Sequence, residues 1–157
     1  MGLKIGADVS IQDGVFFDPS HCYLISIGAR TVLAPNVRLI AHDASTKRFV
    51  GATRLGKIVI EEECFIGDSV IVLSGVTIGR GSIIGAGSVV TRSIPAGCVA
   101  TGNPATVIAS VDDYSKRQTE QSAGGKTFSS DYWIGRTDER QREEMLLAAT
   151  AGKAFIV

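Results

Sequence analysis

Little in this chain would cross-link it, carry it through a bilayer or hold it to a polyanion. Its three cysteines are odd in number and show no CxxC spacing. That argues against a disulfide framework and a cysteine-rich zinc site, and points to buried thiols. No apolar run reaches the roughly 18 residues of a membrane-spanning helix, and the start, MGLKIGADVS, lacks the apolar block of a signal peptide. A cytoplasmic location with no membrane span is expected. Sixteen basic residues against sixteen acidic ones leave no net charge, so the broad positive field that nucleic-acid binding requires is missing. The expected partner is a small molecule or a glycan. At 157 residues the chain suits one domain that buries roughly two-thirds of its unfolded surface.

What the chain has is a period. From Ile60 to Pro95, aliphatic residues recur every six positions at Ile60, Ile66, Val72, Ile78, Ile84 and Val90. Four positions after each stands Cys64, Val70, Val76, Ser82, Ser88 or Ile94, and glycine follows directly at Gly67, Gly79 and Gly85. Neither helical periodicity nor simple alternation yields glycine and small residues at such fixed offsets. Hexapeptide repeats do, and they predict a parallel β-helix in which each hexad supplies a short strand and a corner, about three hexads making one turn. The aliphatic residues point inward and stack into ladders, which form the core.

The same phase runs upstream through Ile5, Ile11 and Phe17, and then through Ile27, Leu33 and Leu39. Two insertions break it, one around Asp18 to Ser26 and a larger one from about Asp43 to Lys57. Insertions must leave such a core as loops, and loops on a rigid scaffold are where function tends to sit. His42 stands at the root of the larger loop. The pattern fades after Pro95, so the repeat domain is expected over residues 1–110 with a tail over 111–157. Serine, glycine and charge from Asp112 to Ser130 predict a mobile arm, while Asp138 to Ala151, with an acidic start and Gly152 beyond its end, predicts one short helix.

The stretch IGDSVIVLSGVTIGRGSIIGAGSVVTRSIPAGCVATGNPATVI resembles the C-terminal coils of hexapeptide-repeat O-acetyltransferases, in particular the maltose, galactoside and polysaccharide group. The resemblance covers about Ile27 to Ile108, extends more weakly over Met1 to Ser26, and leaves the tail unmatched. It implies an all-β solenoid, a left-handed parallel β-helix with a protruding loop. It also implies a homotrimer with acetyl-coenzyme A bound between subunits as acyl donor, no required metal, and a sugar or glycan acceptor. A γ-type carbonic anhydrase shares that prism, but its zinc needs three histidines and this chain has only His21 and His42.

His42 coincides with the family's catalytic histidine. A sugar hydroxyl is almost wholly protonated at neutral pH and must lose its proton as it attacks a thioester, and imidazole is a suitable base. The other ring nitrogen needs an acceptor, for which the adjacent Asp43 and a backbone carbonyl are both available. His21 is read as an ordinary surface histidine. Cys64 sits at an inward position and is read as core, which disfavours a cysteine nucleophile.

For the donor, the resemblance carries onto Phe65, Asp68, Ala86, Thr91 and Arg92. Phe65 stands where tryptophan is commoner, Asp68 where relatives carry small or polar residues, Ala86 where a small side chain admits the pantetheine arm, and Thr91 with Arg92 at the phosphate end. Gln12, Asp13 and Asp43 are the acceptor-side candidates. The loop cations Lys47, Arg48, Arg54 and Lys57 could meet an anionic glycan or the phosphates of coenzyme A. Two alternatives stay open at this level: N-acetylation of an amino or nucleotide sugar, and a catalytically silent trimeric scaffold.

Overall fold

The computed structural model describes residues 2–133, 135–152 and 154–156. The chain forms two compact units, Met1–Val111 and Asp112–Val157.

In the first unit the chain visits three parallel sheets in rotation. The first sheet holds β1 (Lys4–Ile5), β4 (Ile25–Ile27), β9 (Ile58–Ile60) and β12 (Thr77–Ile78). The second holds β2 (Ser10–Ile11), β5 (Val32–Leu33), β10 (Phe65–Ile66), β13 (Ile83–Ile84), β15 (Cys98–Gly102) and β16 (Ala105–Ser110). The third holds β3 (Phe16–Phe17), β6 (Arg38–Leu39), β11 (Ile71–Val72) and β14 (Val89–Val90). Only β16 runs antiparallel to its neighbour within these sheets.

Register pairs Ile27 with Ile60 and Ile60 with Ile78, Leu33 with Ile66 and Ile66 with Ile84, and Leu39 with Val72 and Val72 with Val90. These nine side chains are 0–3% exposed, and each fully buried aliphatic is worth about 1.5–3 kcal/mol relative to solvent. The second inward set is buried as well, with Cys64, Val70, Val76, Ser82 and Ser88 at 0–1% and Ile94 at 5%. The first circuit keeps the register, pairing Ile5 with Ile27 and Ile11 with Leu33, but as the outermost layer it leaves Ile5 47% and Ile11 41% exposed.

Strands this short require tight corners. Between the first and second sheets, the third residue after each inward aliphatic takes a left-handed conformation, whether it is Asp8, Arg30 or Glu63, or glycine at Gly81 and Gly97. Arg30 and Glu63 use the position for charge. Arg30 Nη2 lies 2.7 Å from Glu63 Oε1, and Arg80 Nε lies 3.1 Å from Glu63 Oε2. Hydrogen bonds from Arg80, then from Arg30, hold the Glu63 carboxyl below its ordinary value.

Both insertions leave from the corner between the third and first sheets. The first contains a 3-10 turn, Cys22–Leu24. The second is a hairpin of β7 (His42–Asp43) and β8 (Arg54–Leu55) enclosing α1 (Lys47–Val50), with His42 opposite Leu55 and Asp43 opposite Arg54. The expected loop over 43–57 is therefore an ordered antiparallel excursion.

In the second unit, α2 (Val111–Ala123) occupies ground where the sequence predicted a mobile arm. The serine, glycine and charge of this stretch are outweighed by Asp112 and Asp113 in the first turn, which favour the helix dipole, and by a run of straight-chain residues. The expected second helix is α3 (Glu139–Thr150), with the Asp138 side chain accepting from the Gln141 amide at 2.7 Å and Gln141 returning the bond. The unit also holds the parallel pair β17 (Lys126–Phe128) and β18 (Ala154–Ile156), with Phe128 buried. Among the described residues no helix is long and apolar enough to cross a membrane.

Two outcomes test this packing. A Cβ on Gly79 would stand 2.3 Å from the Ala96 amide nitrogen and 2.7 Å from the Pro95 carbonyl carbon, both backbone, whereas a Cβ on Gly81 meets open space. Gly79→Ala should cost about 1–3 kcal/mol or more of overpacking in urea unfolding, and Gly81→Ala only the left-handed penalty of about 1–2 kcal/mol. The Glu63 contribution is present above its ordinary value of 4.5 and lost as pH falls through the lowered folded value. The stability advantage of wild type over Arg80→Gln should therefore shrink as thermal melts are taken below that pH.

Candidate functional site

The corner that expels both insertions builds the site. Phe17 pairs with Leu39, so Asp18 follows the third sheet one circuit below the segment that ends in His42. Asp18 is 1% exposed, and its buried carboxylate is well supplied with donors. Oδ1 accepts from the Ser20 amide at 3.1 Å and the His21 amide at 3.3 Å, while Oδ2 accepts from the Ala41 amide at 3.1 Å and makes a short contact with His42 Nδ1. Burial pushes the Asp18 carboxyl up, but the hydrogen bonds from His42 and the Ser20 and His21 amides outweigh it and hold the group below its ordinary value.

An ionised carboxylate can only accept, so the proton between the two groups sits on His42 Nδ1. In the neutral ring this leaves the lone pair on Nε2. His42 is 35% exposed and borders a cleft of about 240 Å³ lined by Ile40, His42, Asp43, Arg54, Leu73 and Ser74. Arg54 donates to Ser74 Oγ at 3.3 Å and lies 4.0 Å from Asp43 Oδ2, which places a cation at the cleft wall.

The acceptor for the second ring nitrogen is thus Asp18, not Asp43 or a backbone carbonyl. Asp43 Oδ1 accepts from the Ser45 amide at 2.8 Å, folding its own turn. His21 is not an ordinary surface histidine, since its ring centroid is 5.1 Å from that of His42 and its Nδ1 is 3.9 Å from Asp18. Sequence reasoning missed Asp18 because 24 residues separate it from His42. The available signal was that both breaks in the period follow the same phase, Phe17 and Leu39, which stacks the roots of the two insertions.

The remaining candidates fall on two corners. Val90 pairs with Val72 and Val72 with Leu39, so the exposed Thr91 and Arg92 follow the third sheet on the His42 corner, two circuits along. Gln12, Asp13, Asp68 and Ala86 are exposed at the corner between the second and third sheets, and Phe65, 45% exposed, lies on β10 just before it. Asp68 Oδ1 is 3.5 Å from Asn36 Nδ2 and Oδ2 accepts from Ser69 Oγ at 2.8 Å. Cys64, 1% exposed, has its thiol pushed up by burial and hydrogen-bonded to the Gly79 carbonyl at 3.3 Å, which makes it a core residue.

A family model for the bacterial transferase hexapeptide (six repeats) matches residues 57–92. A galactoside acetyltransferase solved in complex with coenzyme A is 30% identical, with TM-score 0.57, over 73% of this chain and 68% of that one. A hexapeptide-repeat acetyltransferase from Vibrio cholerae complexed with acetyl-coenzyme A is 28% identical, with TM-score 0.63, over 69% of this chain and 60% of that one. A 2,3,4,5-tetrahydropyridine-2,6-dicarboxylate N-acetyltransferase from Clostridium perfringens is 48% identical over 62 residues, 40% of this chain and 26% of its own length. A Bacillus subtilis relative, 30% identical over 115 residues, is spanned for 64% of its length. The curated relatives thus extend well beyond what this chain spans. The chain belongs to the hexapeptide-repeat acetyltransferase family.

Asp18→Ala removes the acceptor of buried donors, including the Ala41 amide. It should lower the unfolding free energy by about 1–3 kcal/mol, measured by urea titration. Unchanged stability would mean that the carboxylate does not hold the two circuits together.

Proposed function

We propose that this chain is an acetyl-coenzyme A-dependent O-acetyltransferase that moves an acetyl group to a hydroxyl of a sugar or polysaccharide by direct transfer. The observation that carries the reading is the His42–Asp18 pair at the wall of a cleft, with Nε2 left unprotonated. Nε2 takes the hydroxyl proton as the oxygen attacks the thioester carbonyl carbon. The tetrahedral intermediate collapses, the C–S bond breaks, and the departing thiolate recovers the proton from the imidazolium. Asp18 holds the tautomer and offsets the charge the ring acquires. Positioned base catalysis of this kind contributes about 10²–10⁴-fold.

The fold that fits this activity is a left-handed parallel β-helix over residues 1–110, with residues 111–157 as an appended tail. We assign the working unit as a cytoplasmic homotrimer. The division of candidates between two corners supports it: His42, Thr91 and Arg92 on one, and Gln12, Asp13, Asp68 and Ala86 with Phe65 on the other. In a trimer the first corner of one copy faces the second of its neighbour, so that Phe65, Asp68, Ala86, Thr91 and Arg92 embrace one donor. Arg92 then meets a phosphate, while Asp43 and Arg54 border the acceptor. The N-acetyltransferase relative favours a second reading, transfer to an amine by the same base, with an amino or nucleotide sugar as the candidate acceptor.

His42→Ala should lower turnover at least about 10²-fold, followed as thiol release from acetyl-coenzyme A against a panel of sugars and oligosaccharides, with little change in coenzyme A affinity. Near-normal turnover would remove His42 as the base. Failure of the wild-type protein to bind acetyl-coenzyme A in equilibrium dialysis would favour the scaffold reading. Arg92→Ala should weaken coenzyme A more than dephospho-coenzyme A, and equal losses would move Arg92 away from the 3′-phosphate.

A further inference from the structure

The first insertion brings up an imidazole that the proposed reaction does not use. His21 Nδ1 is shut off from solvent and makes no hydrogen bond, an uncommon state for a buried polar atom. It faces Asp18 Oδ1 at 3.9 Å, while the other carboxylate oxygen meets His42 Nδ1. Among the described residues, Asp18, His21 and His42 form a group whose ligand atoms all lie within 4.8 Å of one another.

We propose that Asp18, His21 and His42 bind a divalent transition-metal ion of the zinc type, and that occupancy switches the site off. Two imidazoles and a carboxylate are a borderline donor set suited to zinc. Zn–N and Zn–O distances near 2.1 Å place tetrahedral donors about 3.4 Å apart, so His21 must draw in by roughly an ångström while the short His42–Asp18 contact opens to admit the ion. His21 can supply that movement, since it precedes a single 3-10 turn in the insertion and lies outside the three sheets. The Asp18 oxygens are already oriented by the Ser20, His21 and Ala41 amides, the outer-shell support that ligating carboxylates require.

The switch follows from the tautomer. A metal takes the lone pair of a neutral imidazole nitrogen, so His42 Nδ1 must lose its proton to bind, and the neutral ring then carries its hydrogen on Nε2. No lone pair remains for a hydroxyl, and Asp18 is engaged by the metal. The bond formed is Nδ1–Zn, the bond broken is Nδ1–H, and the proton moves to Nε2 through solvent.

Binding is read without reference to acetyl transfer, so the site stands or falls apart from the proposed reaction. The 157-residue chain should take up one Zn²⁺ in competition with a chromophoric chelator, with Kd of about 1 µM or tighter, a binding free energy near −8 kcal/mol. His21→Ala and His42→Ala should each weaken it at least about tenfold with unchanged circular dichroism, and Cys22→Ser and Cys98→Ser should not. Absence of binding to wild type at 100 µM zinc (about 100-fold above that Kd), equal affinity in His21→Ala, or loss confined to the cysteine variants would each overturn the site. With an acceptor in hand, turnover should fall over the same zinc range and recover on chelation. Stoichiometric binding without inhibition would overturn the switch.

Discussion

Everything in the repeat unit depends on stacking like side chains at a fixed register along three sheets. With strands of two or three residues for the most part, no strand is stable by itself, and its two faces are unequal. The inward one is sealed by aliphatics above and below, while the outward one is free to vary. That division lets the unit carry outward residues as different as Phe65, Thr77 and Val89 on one scaffold. It also explains the corners: neighbouring circuits approach so closely at Gly28 and Gly79 that a Cβ would meet backbone at 2.4 and 2.3 Å, and glycine there is a steric requirement.

The site is the place where this regularity is given up. Elsewhere the corner is a tight turn, but at the junction of the third and first sheets the chain twice leaves the stack. The two exits lie one above the other, so residues from separate insertions share a small volume. Asp18 is buried by that stacking, while His42, at the root of the hairpin, stays partly exposed. A buried carboxylate beside an accessible imidazole is the arrangement that fixes a tautomer and leaves one nitrogen for work.

Much of the repeat was legible because its signal is periodic. Ile60 through Val90 announce their burial by spacing alone, and the two interruptions announce the insertions. His42 was legible through its position at the end of a run together with the family resemblance. Asp18 was not, because a contact between the roots of two insertions has no period, and a carboxylate before Pro19 reads as an ordinary turn. His21 was misread for the same reason: an imidazole in an irregular segment is exposed by default until its neighbours are known. In the tail, α3 carried its start and stop signals in Asp138 and Gly152, whereas α2, with no buried residue among those described, lacked the apolar stripe on which such readings lean.

The pairing of Asp18 with His42 joins the first circuit to the second, and the strands of the first circuit, β1, β2 and β3, each pair on one side within their sheets. Its inward residues Ile5 and Ile11 remain 47% and 41% exposed, so it buries less apolar surface than the inner circuits and has less to hold it in place. When it lifts, Asp18 goes with it and His42 loses its orienting partner while the inner circuits are still intact. The dyad is therefore a latch between two circuits: its alignment registers whether the first layer is docked on the second, and the proposed reaction would be tied to the local stability of that layer more than to the global stability of the fold.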